Sequence, residues 1–454
     1  MQRRKFIKLS MAAGTALLLP SFTSAKDLDL SEILFSTGIY NTNQAQTIII
    51  FLYGGASQLS GNISNLPEIK PLSQSDYDNY FGTITPTVNN CWQEAGGDHM
   101  ESLIANGDMT LFRCCYSQVR DANNNKAHGL CTLQNQTGTF DERNAGIITN
   151  LAQILEANGL VNENTIMPFL TLEGESLFYL EGNQPLSSYL KPSALSENLN
   201  NNVYSRYSRD YKYYTDAERQ IPDYNDNTLG FDAPLHDKMD TLAQQNNVAG
   251  KMKNAFARRA SLSDFIKGIA NATTPDLGAD AYPNNNFADK VETAIKVLVN
   301  NPDTKIITLG TNGLGGWDNH DQARSYVSRM ESLFSTLKSA MAHLKAESKE
   351  NNINIMVFGE FGRNVNLNSA QGWDHGNLQN FYVLGGKGYF NHTGVVGETI
   401  LENTGQINRL FLKPKNGTYT FEPLSIASTL YKIYGVENPE TLTNNNGPIS
   451  PLFS

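Results

Sequence analysis

Charge is scarce in this 454-residue chain: 18% of the side chains are ionic against roughly 25% in an ordinary soluble domain, and cations are the scarcer sign, 35 against 45 acids. The formal net charge is −10, and removing residues 1–25, which hold four basic and no acidic side chains, takes it to −14. An acidic body repels a phosphate backbone, so no nucleic-acid partner is expected. Beyond residue 25 no apolar run approaches the ~20 residues needed to span a bilayer, and the mature chain should lack a transmembrane segment. Cysteine is rare too. Cys91, Cys114, Cys115 and Cys131 allow three pairings, and the adjacency of Cys114 and Cys115 argues against a paired-cysteine zinc site. One structural disulfide plus buried thiols is the expectation. Internal repeats and long low-complexity tracts are absent. With 40% hydrophobic and 10% aromatic residues, the composition excludes a disordered, collagen-like or coiled-coil chain.

What is present begins with an address. Arg3, Arg4, Lys5, Phe6, Ile7 and Lys8 precede a modestly apolar stretch from Leu9 to Leu19, then Pro20 and a small-residue run ending Thr23-Ser24-Ala25. This is the pattern of a secretory signal cleaved after Ala25, and its paired arginines resemble the bacterial twin-arginine export signal. The mature protein, residues 26–454, is therefore expected in the periplasm, with the twin-arginine translocase as a partner during export.

Thr47 to Tyr53 is an unbroken β-branched and aromatic run ending in Gly54-Gly55, the signature of a strand covered on both faces. Similar runs are Lys305 to Leu309 before Gly310, Ile353 to Phe358 before Gly359, and Asn380 to Leu384 before Gly385-Gly386. Helical periodicity occupies Asn144 to Asn158, Phe287 to Val299 and Asp321 to Ser348. Alternating strands and helices predict an α/β domain: a mostly parallel central sheet with helices on both faces. Residues 190–265, rich in Asn and Tyr (Tyr204, Tyr207, Tyr211, Tyr213, Tyr214), read as a helical insertion or cap. A carbohydrate-binding role for those tyrosines ranks below ordinary packing.

Ligands in such sheets bind beyond the carboxyl ends of the strands. Gly316-Trp317-Asp318-Asn319-His320 follows one run, and Asp318 and His320 would share a side in an extended chain. Gly359-Glu360-Phe361-Gly362-Arg363 places a carboxylate and a guanidinium at another strand end. Gly372-Trp373-Asp374-His375-Gly376 supplies a second Asp-His pair between glycines that permit close backbone approach. Imidazole with carboxylate suits zinc, manganese or iron rather than calcium. His99, His236, His343 and His392 read as structural or surface residues.

The twin-arginine start, Gly54-Gly55-Ala56 after a strand, Trp317 to His320, Glu360 to Arg363 and Asp374 to Gly376 together resemble a domain-of-unknown-function family of exported bacterial proteins within the alkaline phosphatase and sulfatase superfamily. The resemblance implies one alkaline-phosphatase-like domain with a metal site at the strand ends, hydrolysing phosphate or sulfate esters through a Ser or Thr nucleophile. It implies that Asp318, His320 and His375 hold one divalent metal (Zn, Mn or Fe) and that Glu360, with Asp374, serves a second. Arg363 would grip the oxygens of the anionic ester, and His128 would stand with it as a catalytic group. Two positions depart from the pattern: Ser57 where relatives carry a metal-ligand Asp, and Lys126-Ala127-His128 where they carry Arg-Ser-His. Ala127 has no oxygen, so attack would fall to a metal-activated water or to Thr132 or Ser57. The alternative is an inactive periplasmic binding or scaffold protein with an envelope protein as its partner.

Overall fold

The structure, a computed structural model, describes residues 28–36, 44–73, 77–141, 144–173, 176–182, 186–187, 189–194, 265, 268–269, 272–403 and 409–453. The export signal, its cleavage point and the tyrosines of the 190–265 insertion lie outside the described residues.

The strands are β1 (Gln46–Leu52), β2 (Met109–Tyr116), β3 (Phe169–Thr171), β4 (Ser193–Ala194), β5 (Ile306–Gly310), β6 (Ile353–Gly359), β7 (Gly362–Arg363), β8 (His375–Gly376), β9 (Leu378–Gly385), β10 (Gly394–Val396), β11 (Thr399–Asn403) and β12 (Leu410–Pro414). The helices used below are α1 (Gly97–Ala105), α2 (Gln118–Ala122), α3 (His128–Thr137), α4 (Ile147–Ala157), α5 (Asn286–Asn300), α6 (Ser325–Ala346) and α7 (Ser425–Ile433). One eight-stranded sheet runs β10-β2-β9-β6-β1-β5-β3-β4. β1 is parallel to β5 and β6, and β3 is parallel to β4 and β5. The α/β architecture with a mostly parallel sheet is as the sequence predicts.

All seven residues of β1 are buried, which is why its sequence runs apolar without alternation. Ile48, Ile50 and Leu52 face one layer with Leu103 of α1, Val291 of α5 and Leu337 of α6. Ile49 and Phe51 face the other, with Ile148 and Leu151 of α4 and Leu430 of α7. Full burial of a side chain such as Phe51 contributes roughly 1.5–3 kcal/mol, so this strand alone is a large share of the core. α5 begins where Asn285 accepts hydrogen bonds from the N–H groups of Phe287 and Ala288, the usual N-cap device.

Two expectations need correction, and one strand was unforeseen. Asn380 to Leu384 belongs to β9, which is antiparallel to both β2 and β6, so Gly385-Gly386 lie at the opposite end of the sheet from Gly54, Gly310 and Gly359. A parallel return needs a crossover of a dozen or more residues, normally a helix, and residues 360–377 hold only the β7–β8 pair. β2 was not foreseen in the sequence, because its apolar run is broken by Arg113. That guanidinium is buried, with Nε donating to the Gly61 carbonyl at 2.8 Å and Nη2 to that of Asn89. Finally, all four cysteines are free buried thiols. Cys115 packs in the layer of Phe112 and Phe421, whereas the Cys114 thiol donates to the Glu398 carbonyl at 3.3 Å.

His343 on α6 is buried against Tyr282, whose hydroxyl lies 3.2 Å from Nδ1, and burial pushes its pKa down to about 4 despite nearby Glu292; Lys296 adds to the depression. Unfolding returns the ring to its ordinary value near 6.5, so between about pH 6.5 and 4 the unfolded chain binds more protons and stability falls as pH falls. Urea midpoints measured at pH 7 and pH 5 should drop further for the wild type than for His343→Gln. Equal drops would show that this ring is already protonated when folded.

Candidate metal centre

The carboxyl ends of β1, β5, β6 and, through the segment that follows it, β2 meet at one place. Trp317 and Trp373, each just before an aspartate, anchor two of the converging loops. Both indoles are fully buried, and each donates its Nε1–H to a hydroxyl, Trp317 to Thr311 at 2.8 Å and Trp373 to Tyr77 at 2.9 Å. Tyr326 of α6 lies edge-on to both indole rings. The Trp373 N–H donates to the Asn319 carbonyl at 2.7 Å, joining the loops directly. Two glycines make this approach possible. A Cβ on Gly54, whose φ is +104°, would lie 2.5 Å from the Asp318 nitrogen, and one on Gly372 would lie 2.1 Å from the His320 carbonyl.

The result is a cluster of His128, Asp318, His320 and His375, with one ligand atom of each within 4.8 Å of the others. His128, at the start of α3, turns Nδ1 to Glu360 Oε2 at 2.5 Å. His375, on β8, turns Nδ1 to the Lys126 carbonyl at 2.6 Å. His320 turns Nδ1 toward Asp374 Oδ1 at 3.3 Å. An Nδ1 facing a carboxylate or a carbonyl must carry the proton, so in His128 and His375 the lone pair is left on Nε2. Those atoms face inward: Nε2 of His320 and His375 are 2.8 Å apart, and Nε2 of His128 is buried with no hydrogen-bond partner. Nε2 of His320 lies 3.2 Å and Nε2 of His128 3.5 Å from Asp318 Oδ1, so imidazole and carboxylate groups share one centre, the donor set a divalent ion takes. Outer acceptors on each Nδ1 are the usual support of a histidine metal site, so the residues fit a divalent ion.

The electrostatics favour the ligand forms of His375 and Asp318 and, without an ion, the protonated ring of His128. Burial, with Arg363 and His128 close by, pushes His375 down to about 4, so its ring is neutral at neutral pH. Burial pushes the Asp318 carboxyl up, but the hydrogen bond and charge of Arg363, with His128 and His320 near, outweigh it and hold Asp318 below the usual range. The hydrogen bond from Glu360 raises His128, against the opposing effect of its burial.

Arg363 does not reach outward. Its side chain is 0% exposed, and it donates to the carbonyls of Gly54, Gly55 (2.7 Å), Trp373 (2.9 Å) and Trp317 (3.3 Å) and to Asp318 Oδ1 (2.6 Å). With Nη1 also 3.5 Å from His320 Nε2, a guanidinium so occupied stitches loops together and has no donor left for an ester, which departs from the expected gripping role. Glu360 is engaged within the protein as well. Its two oxygens take the Gly54 N–H at 2.8 Å and His128 Nδ1, so it orients His128. Asp374 likewise backs His320. Arg120 on α2, unremarked in the sequence, is buried and donates to the Glu360 carbonyl at 3.1 Å and to Asn135 Oδ1 at 2.6 Å, tying α3 to the end of β6. Nothing marked Arg120 in the sequence, since its partners are the carbonyls of Glu360 and Cys131 and the side-chain amides of Gln134 and Asn135.

No serine occupies the nucleophile position. Ser57 is buried and lines a small internal space with Asn380 and Tyr382, behind the ring of Phe361 that packs on His128 and His375. Thr132 sits one turn beyond His128 on α3, on the same helix face. Ala127 is the N-cap of α3, extended at φ −80° and ψ 130°, with no side-chain cap. Ala127→Ser supplies the missing acceptor for the first-turn N–H groups and should raise stability by about 1 kcal/mol, read as a higher urea midpoint with an unchanged slope. An unchanged midpoint would mean that the serine oxygen does not cap.

Solved structures match most of the chain at low identity. Ps i-CgsB in complex with k-i-k-neocarrahexaose shares 10% identity over 89% of this chain and 74% of its own, with a TM-score of 0.38. The phosphonate monoester hydrolase SpPMH from Silicibacter pomeroyi shares 14% over 90% and 76%, with a TM-score of 0.34. Alkaline phosphatase from the Antarctic bacterium TAB5 shares 14% over 89% and 99%, with a TM-score of 0.35. No curated protein matches in sequence. The model of DUF1501, a protein family of unknown function, matches residues 44–400, and the chain belongs to that family.

Proposed function

We propose that this protein is an exported, periplasmic hydrolase of phosphate or sulfate esters that works with one divalent ion (zinc, manganese or iron). The observation that carries the reading is the inward convergence of three imidazole Nε2 atoms whose Nδ1 atoms all face acceptors. Its ligands are His128, His320, His375 and Asp318. A divalent ion held there supplies Lewis acidity and lowers the pKa of water toward neutrality. Glu360, Asp374 and the Lys126 carbonyl fix ring orientation and tautomer. Phe361 closes one side against solvent by packing on His128 and His375. Asp318, with 48% of its side chain exposed, leaves the other side open to an ester. Arg363 holds Asp318 in place and contributes positive charge without touching substrate. With Ala127 unable to attack, water is the nucleophile. Among the described residues no helix is long and apolar enough to cross a membrane, in keeping with a chain carried across whole by the twin-arginine translocase.

The second reading is a binding or scaffold subunit of an envelope assembly that keeps the metal without turnover. Ala127, where the family resemblance places a serine, favours it.

Elemental analysis of the protein purified from the periplasm should find near-stoichiometric zinc, manganese or iron that disappears in the His320→Ala, His375→Ala double variant. A folded wild type with no metal above background would sink both readings of the site. Glu360→Gln should keep the fold while weakening metal affinity by about 10- to 100-fold, as expected for an outer-shell partner; unchanged affinity would show that Glu360 does not orient His128. In a screen of phosphate and sulfate esters, activity in the metal-loaded wild type supports the hydrolase. Activity that appears only in Ala127→Ser means the parent is the binding protein.

A further inference from the structure

An open groove of about 1030 Å³ begins at Asp318 and runs along the first turns of α6. It lies at the top of the range of roughly 300–1,000 Å³ typical of small-molecule pockets, so it has room for more than a compact ester group. Its charge excludes a polyanion. Four carboxylates line it (Glu94, Asp318, Asp321, Glu331) against two guanidiniums, Arg324 and Arg329. Arg329 is bonded to the Gly316 carbonyl and Arg324 lies over the Tyr80 ring, while Glu94 accepts from Thr85, Glu331 meets His99 and Asp318 pairs with Arg363; the lining keeps two more carboxylates than guanidiniums.

The groove is also rich in acceptors. Asn319, 5% exposed, lines it, and its side-chain oxygen is buried with no hydrogen-bond partner among the described residues. A buried carbonyl left unpaired costs about 1–3 kcal/mol, a cost that a ligand donor would remove. Ser325 and Ser328 donate their hydroxyl protons to the backbone carbonyls of Gln322 and Ser325, which leaves their oxygens facing outward as acceptors. Gln322, an exposed residue of the lining, holds a left-handed φ of +46°, a conformation that side chains other than glycine seldom adopt and that concentrates at functional sites.

We propose that this groove binds the alcohol half of the ester and that this half is an uncharged, hydroxyl-rich chain, a sugar or polyol of more than one unit. Hydroxyls donate to Asn319, Asp321 and the serines, and the excess of carboxylates over guanidiniums turns away sulfated or phosphorylated chains. The inference rests on the hydrolase reading for its ester, but groove binding is measurable without turnover. Saturation-transfer NMR on the full chain, with metal content measured on the same sample, would use neutral hexasaccharides (maltohexaose, cellohexaose and a galactohexaose) beside a heparin hexasaccharide. Transfer to at least one neutral chain, at least tenfold weaker in Ser328→Trp, which fills the groove without touching a metal ligand, is the expected result. No transfer to any neutral chain, stronger transfer to the heparin chain, or transfer unaltered in Ser328→Trp overturns it. Neutral-chain binding in a sample without metal upholds the groove and removes the hydrolase.

Discussion

The buried guanidinium of Arg363 is the contact on which the site depends. It collects carbonyls from the segment after β1 (Gly54, Gly55) and from both tryptophan loops (Trp317, Trp373), and it holds the carboxylate of Asp318. Taking a cation out of water is costly unless all its donors are matched, and here backbone oxygens do most of the matching. The planar fork of arginine can reach several loops at once, whereas an ammonium offers only a point charge. The arrangement makes the loop positions mutually dependent. Displacing any one of them would strand donors in the interior.

Around that contact the site is built outward in layers. The two indoles set the depth of their loops, Tyr326 of α6 wedges against both, and glycine at 54 and 372 removes the side-chain atoms that would hold the backbones apart. Asp318 and His320 on one loop and His375 on the other are then within reach of His128 on α3. Glu360 shows how economical the support is. One carboxylate caps the turn after β1 through the Gly54 N–H and orients His128, so loop closure and ligand orientation are a single event.

The sheet accounts for why these groups meet at all. β1, β5 and β6 are parallel, so the glycine-terminated ends of all three open on the same edge, and the motif-bearing loops have nowhere else to go. β9 runs the other way, and its glycines mark a turn at the far edge. Four runs that look alike in the chain thus divide three to one. A local apolar pattern reports burial on both faces; direction depends on what lies between strands, and a short two-stranded excursion does not reverse the chain as a helix crossover does.

Strand and helix placement was legible because burial and periodicity are local properties: β1, β5, β6, α4, α5 and α6 fall within a few residues of their expected bounds. The Asp-His pairs were legible as chemistry because their residue types have few other reasons to recur after strands. Their division of labour was not. Whether Glu360 binds a metal or backs His128, whether Arg363 faces a ligand or the interior, and whether Asp374 supports His320 all turn on side-chain direction. Direction is decided when distant loops pack. β2, with Arg113 in its middle, stayed hidden because a buried charge is acceptable only when distant carbonyls satisfy it. The sequence by itself determined the sheet's buried core and the inventory of ligand-type residues, since both follow from residue chemistry read in order. Only the tertiary structure decided which of those residues face one another, because that depends on loops joined across some three hundred residues by a single guanidinium.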